Sequence, residues 1–210
     1  MFVAHQASLF DVDVSGLHMG DLPSELQRNH LADGAWVDFA PGWVRGSDEL
    51  FNDLVETVPW RADRRPMYDR VVDVPRLQCF YDENDALPSP LLDHARTALG
   101  DHYADELGEP FTTAGLCYYR DGSDSVAWHG DTIGRSRTED TMVAIVSLGE
   151  ARSLLLRPRG GGESIRYQVG HGDLLVMGGS CQRTWEHAVP KTARPVGPRI
   201  SVQFRPHNVR

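Results

Sequence analysis

Beyond residue 110 the chain breaks into short segments rich in Val, Ile, Leu, Thr and Tyr. They lie at 112–119, 125–130, 141–148, 152–157, 164–168, 173–177, 183–189 and 198–205. Brief runs of this composition, bounded by turn signals, read as strands. Asp121-Gly122 and Arg159-Gly160-Gly161-Gly162 supply turns between them. Many short strands with few helices bury their apolar faces only by stacking or closing. The C-terminal half therefore predicts a closed or sandwiched all-β core.

The first half is sparser in signals. Residues 35–40 alternate weakly and suit an edge strand. Ser47 can cap a helix that carries Leu50, Phe51, Leu54, Val55 and Val58 on one face and ends at Pro59. Ser89-Pro90 opens a second helix, with Leu91, Leu92, Ala95, Ala98 and Leu99 buried and a stop near Gly100. Residues 60–67 carry Arg, Asp and Pro without periodicity and read as a loop.

Chemistry enters with His129-Gly130-Asp131, a lone His187 and then Arg199 and Arg205. Two imidazoles and a carboxylate are the ligand set of a non-heme Fe(II) oxygenase, which leaves one face of the metal open. On an extended segment His129 and Asp131 point the same way. The 56 residues from Asp131 to His187 suffice to cross a sheet several times and return. In residues 199–205, Arg199, Ser201, Gln203 and Arg205 share one strand face while Ile200, Val202 and Phe204 share the other. Two guanidiniums facing inward beside a metal suit a small dicarboxylate, which either Arg199 or Arg205 can anchor.

These residues resemble the AlkB-type 2-oxoglutarate- and Fe(II)-dependent dioxygenases. The H-x-D pair, the distal His and the R-x5-R pattern are met by His129, Asp131, His187, Arg199 and Arg205. Tyr119 with Cys117 looks like the family's N-x-Y segment, and Gly172–Met177 and Glu186–Pro190 look like further family segments. The resemblance covers roughly residues 59 to 205. It implies a double-stranded β-helix (jelly-roll) core, so the fold class expected is mainly β with flanking helices. It also implies Fe(II), 2-oxoglutarate and O2 as the reacting partners. Arg199 then takes the distal carboxylate, helped by Tyr119, and Arg205 the end nearer the metal. Three positions depart from the family pattern: Cys117 and Ser201 stand where Asn is usual, and Ile133 where nucleobase-repairing members carry an acid.

The same resemblance suggests substrate residues. Arg76 to Tyr81 is similar to the P-R-x4-Y strand whose Tyr lines the base pocket; Trp128, Ile133 and Arg135 flank the metal loop. The activity implied is oxidative dealkylation of alkylated nucleobases in DNA or RNA. Alternatives are the same oxygenase chemistry on a protein side chain or small molecule, a zinc hydrolase using the same triad, and a non-catalytic β-helix binding module.

Composition bounds these readings. The length suits one domain, with residues 1–58 as N-terminal extension and buttressing helix, 59–110 as a lid-like segment and second helix, and 111–210 as the metal-bearing core. A net charge of −9 argues against an extensive nucleic-acid surface. It leaves room for a locally basic mouth from Arg61, Arg64, Arg65, Arg70 and Arg76, or from Arg152, Arg157 and Arg159. Cys79, Cys117 and Cys181 are odd in number and unpatterned, which fits a reducing compartment. No window approaches the roughly 18 apolar residues of a membrane span, and residues 1–6 lack a charged and apolar leader. A cytoplasmic monomer without membrane contact is the expectation.

Overall fold

The structure, a computed structural model, describes residues 16–67 and 70–209. Six strands lie before residue 110: β1 (His18–Met19), β2 (Gln27–His30), β3 (Ala35–Ala40), β4 (Val44–Arg45), β5 (Arg61–Met67) and β6 (Arg70–Tyr81). Eight follow: β7 (Thr113–Tyr119), β8 (Val126–His129), β9 (Val143–Gly149), β10 (Arg152–Pro158), β11 (Ile165–Val169), β12 (Leu174–Gly179), β13 (Trp185–Val189) and β14 (Arg199–Arg205). The helices are α1 (Leu22–Glu25), α2 (Asp48–Thr57), α3 (Pro90–His102), α4 (Ala104–Leu107) and α5 (Cys181–Thr184).

Two antiparallel sheets face each other. The larger runs β2-β3-β12-β9-β14-β7-β6-β5 and the smaller β11-β10-β13-β8. From β7 to β14 the chain passes back and forth between the sheets, leaving strands far apart in sequence as neighbours within each, which is the jelly-roll arrangement expected. One apolar cluster lies between the sheets and includes Val37, Val143, Ile145, Leu154, Leu156, Leu175 and Met177. A second packs α2 and α3 on the outer face of the larger sheet through Leu50, Leu54, Leu92 and Leu99 against Leu116, Val202 and Phe204. The alternation of β14 divides accordingly. Ile200, Val202 and Phe204 face the helices, and the polar partners of that strand face the space between the sheets.

The C-terminal strands fall within two residues of the positions predicted. Three expectations fail upstream. Residues 60–67 are not a loop: β5 pairs with β6 at the end of the large sheet, with a register shift between Ala62 and Arg64. Arg61, Ala62 and Asp63 are all exposed, so no face of this edge strand had to be apolar and no alternation marked it. Second, β3 is not an edge strand, because it lies between β2 and β12. It is buried almost throughout, which blurs its alternation. Third, Ser47 precedes α2 but makes no side-chain cap. Its hydroxyl meets His171 Nε2 at 2.7 Å instead, while His171 Nδ1 accepts from Gly149 N–H at 2.8 Å. Ser89 does cap α3, accepting from Leu91 N–H.

Among the described residues no helix is long and apolar enough to cross a membrane. The side chains of Arg64, Arg65, Arg70 and Arg135, and residues 1–6, lie outside the described residues. The second arginine group does not form a basic mouth. Arg152 donates to the carbonyls of Asp121, Asp124 and Pro190, Arg157 pairs with Glu186, and Arg159 donates to the carbonyls of Gln182 and Arg183.

Candidate metal centre

Strands β8 and β13 run antiparallel in the small sheet, with His129 directly opposite His187. The two rings lie with centroids 4.2 Å apart. Asp131 follows β8 by two residues and turns its carboxylate towards them. His129, Asp131 and His187 offer ligand atoms that all lie within 4.8 Å of one another. That spread suits one ion with bonds of about 2 Å.

Hydrogen bonding fixes which atoms face the ion. His129 Nδ1 is 2.9 Å from Ala127 O and 3.1 Å from His187 O. Carbonyls only accept, so Nδ1 carries a proton there and Nε2 is the nitrogen left to face an ion. Nε2 lies 3.6 Å from Asp131 Oδ1. The rest of Asp131 is engaged. Its N–H donates to Gln182 Oε1 at 2.9 Å, its carbonyl accepts from Ser136 Oγ, and Oδ2 accepts from Arg205 Nε at 2.8 Å and Nη2 at 2.7 Å. Oδ1 is the atom left for an ion.

Charge states suit coordination. Burial alone would raise the Asp131 pKa, but Arg205 and the two imidazoles outweigh it and hold the carboxyl well below its usual range. Burial, aided by His129, pushes His187 down to about 3, so its imidazole stays neutral at ordinary pH.

Next to the triad the large sheet presents a guanidinium in need of an anion. Arg199 is 2 % exposed, its Nε donates to Ser147 Oγ at 2.8 Å, and its Nη1 is buried without a hydrogen-bond partner. Burial pulls this guanidinium below its ordinary value. Tyr119, its cross-strand partner, places its ring 5.4 Å from the Arg199 Cζ, and burial pushes the phenol up to about 12. Orphaned buried donors are rare and call for a ligand or water. A carboxylate at Nη1 would complete the arginine, so the residues present fit 2-oxoglutarate beside a metal.

The triad, Arg199, Arg205, Tyr119, Cys117 and Ser201 all line one cavity of about 1010 Å³. Cys117 Sγ lies 3.4 Å from Arg76 Nε, 3.6 Å from Gln78 Nε2 and 3.8 Å from Gln203 Oε1. Ser201 accepts from the Gln203 amide through both its carbonyl and its hydroxyl. Gln203 thus bridges the two positions where the family pattern has Asn.

The proposed substrate residues divide. Tyr81 and Arg76 line the cavity, and burial with Cys79 close by pushes the Tyr81 phenol up to about 12. Arg76 spends its Nε on Cys117 and its Nη1 on Ser125 O at 3.2 Å, inside the wall. Ile133 stands at the mouth, 64 % exposed, with the exposed Phe80 also lining the opening. Trp128 does not line the cavity: it packs under Arg157, whose Cζ is 4.1 Å from its ring centroid. Strict alternation would put Trp128 on the face of Val126, but β8 pairs with β13 through a register shift between His129 and Val126, and Val126 and His129 both reach the cavity while Trp128 does not.

Alternation placed Gln203 on the polar face of β14 without giving it a role, and three further candidate positions escaped the sequence reading. Ser147 stands opposite Ser201 across β9 and β14, so the pairing of those strands carries a signal for it. Gln182 and Ser136 carry no such signal; only the fold brings them to Asp131.

The chain is similar to known proteins. The model of the 2OG-Fe(II) oxygenase superfamily matches residues 40–205. The bovine (Bos taurus) alpha-ketoglutarate-dependent dioxygenase alkB homolog 3 is 30% identical over 190 residues, covering 80% of this chain and 65% of that protein. The mouse (Mus musculus) DNA oxidative demethylase ALKBH2 is 26% identical over 210 residues, covering 89% and 86%. The chain therefore spans just under two thirds of the length of the alkB homolog 3 relatives. Among solved structures, that of OsALKBH1 superposes with a TM-score of 0.57 at 15% identity, covering 84% of this chain and all of that one. This last likeness concerns the fold alone.

Proposed function

The chain belongs to the 2OG-Fe(II) oxygenase superfamily, and from that premise we propose that it oxidatively removes small alkyl groups from nucleobases in DNA or RNA. One observation carries the reading: a triad of two imidazoles and a carboxylate shares a cavity with a buried arginine whose Nη1 lacks a partner among the described residues. A hydrolase built on the same triad has no use for such an arginine.

His129, Asp131 and His187 would hold Fe(II) through His129 Nε2, Asp131 Oδ1 and a His187 ring nitrogen. Arg199 would hold one 2-oxoglutarate carboxylate at Nη1, with Ser147 fixing the guanidinium and Tyr119 alongside. Arg205 sits at the metal end, where its grip on Asp131 Oδ2 keeps Oδ1 free. When bound, Fe(II) and 2-oxoglutarate supply O2-dependent oxidation of an alkyl C–H bond, releasing succinate and CO2. An N-linked carbon so hydroxylated leaves as an aldehyde. The chain's own contribution is position, charge and exclusion of water by the inter-sheet core.

The nucleobase part rests on the relatives named as DNA oxidative demethylases and on Tyr81 within the cavity. A second reading keeps the chemistry and moves it to a protein side chain or small molecule. It is favoured by Ile133, which brings an exposed alkyl group rather than a carboxylate to the mouth, and by the acidic net charge.

Aerobic incubation with Fe(II), 2-oxoglutarate and a panel of methylated DNA and RNA oligonucleotides tests both at a stated salt concentration. Succinate and formaldehyde rising together on alkylated strands supports demethylation. Succinate without formaldehyde keeps the oxygenase and discards the nucleobase substrate.

A further inference from the structure

We propose that Gln182 is a positioning residue for the metal site, acting through the backbone of Asp131. The inference rests on the reading of His129, Asp131 and His187 as ligands of one ion. Gln182 is 1% exposed and belongs to α5, the single helical turn between β12 and β13. Its Oε1 accepts the Asp131 N–H at 2.9 Å. Among the described residues its Nε2 has only a soft contact, Met177 Sδ at 4.0 Å. The carboxamide is therefore aimed by its acceptor end, at the peptide of a ligand.

The turn that carries Gln182 is itself clamped. Arg159 donates from Nε to Arg183 O at 2.8 Å and from Nη2 to Gln182 O at 3.1 Å. Ser180 Oγ donates to Asp33 O at 2.7 Å, and Arg183 pairs with Asp140. The metal loop lies directly on this turn. A Cβ on Gly130 would stand 2.5 Å from Gln182 O and 2.7 Å from Arg159 Nη2. Gly130 and Gln182 together set how far the loop sinks, and with Ser136 on the carbonyl they fix the Asp131 peptide at both ends. Partners of this kind hold a ligand's orientation and change metal affinity on the order of 10–100-fold when removed.

The test titrates metal-free protein with Co(II), followed by its visible absorption. The proteins are wild type, Gln182→Met, Gln182→Asn, Gln182→Glu and His187→Ala, each with a melting curve recorded without metal. Met keeps the volume and loses the acceptor; Asn keeps the amide and falls short; Glu keeps an acceptor oxygen at full reach. We expect Met and Asn to weaken Co(II) binding about tenfold or more, Glu to restore it largely, and the KM for 2-oxoglutarate at saturating Fe(II) to stay unchanged. A merely structural role would lower the melting temperature and shift that KM in step with affinity. Co(II) affinity of Met and Asn equal to wild type, or a Glu variant as weak as Met with the same melting curve, overturns the proposal. Equal Co(II) binding by wild type and His187→Ala would overturn the triad reading itself, and this inference with it.

Discussion

Arg205 holds Asp131 through two nitrogens on a single oxygen: Nε at 2.8 Å and Nη2 at 2.7 Å both meet Oδ2. The two residues are 74 positions apart: Arg205 ends β14 of the larger sheet, and Asp131 lies in the loop that follows β8 of the smaller. A charge-assisted pair of this kind, in a buried site, gives direction as well as energy. It turns the carboxylate so that Oδ1 points at the His129 and His187 imidazoles. The last strand thereby orients a proposed ligand carried by the loop after β8, and the inter-sheet cavity becomes one unit from the Arg199 end to the triad.

Loss of a triad member should silence the site without dissolving the fold. His129→Ala or Asp131→Ala is expected to cut 2-oxoglutarate turnover by at least about 1,000-fold, since no other described side chain stands in for a missing ligand. Succinate release measures the effect and circular dichroism the fold. Turnover within tenfold of wild type in either variant would remove that residue from the ligand set.

Arg199 should govern the cosubstrate. Without its charged contact to a carboxylate, Arg199→Met is expected to raise the apparent KM for 2-oxoglutarate on the order of 100-fold, as loss of a buried charged partner costs about 2–5 kcal/mol. With Mn(II) present, 2-oxoglutarate should raise the melting temperature of wild type and leave the variant unmoved. An unchanged KM would send the anchor to another cation of the cavity.

Acid should weaken the metal-free protein through His187. Its folded pKa, pushed down to about 3, lies below the ordinary value of 6.5, so the unfolded chain takes up the proton first. Stability then falls as pH drops from 6.5 towards 3, by up to about 1.4 kcal/mol per pH unit from this group. The depressed Asp131 acts in the same direction from 3.8 downward. Urea unfolding between pH 7 and pH 4 should give a shallower slope for His187→Gln than for wild type; identical slopes would contradict the assignment.

Gly130 leaves no room for a side chain. Gly130→Ala puts a methyl 2.5 Å from a backbone oxygen that cannot rotate away. The loop must lift, at a cost on the order of 1–3 kcal/mol, and Asp131 moves with it. Weaker Co(II) binding together with a lowered melting temperature is the expected result. A variant indistinguishable from wild type in both would mean that the loop sits further from α5.

Much of this was legible in the chain. The eight C-terminal strands and two main helices follow from local composition, turns and an N-cap, because each is encoded within a few residues. The triad and the arginine pair were legible for the same reason: strand alternation aims Arg199, Ser201, Gln203 and Arg205 to one side whatever the sheet contains. Where both faces are covered, as in β3, or both are open, as at the start of β5, alternation carries nothing and the reading failed.

Sequence alone picked out the residues proposed to carry the chemistry and the face of β14 that bears Arg199 and Arg205, since side-chain direction along a strand is a local property of the backbone. Tertiary structure decided the rest. It set His129 opposite His187, left Oδ1 of Asp131 free, kept Nη1 of Arg199 unpartnered, turned Trp128 away and brought Gln182 to the metal loop. Those depend on how distant segments stack, and contacts between distant segments leave no periodic trace in the chain.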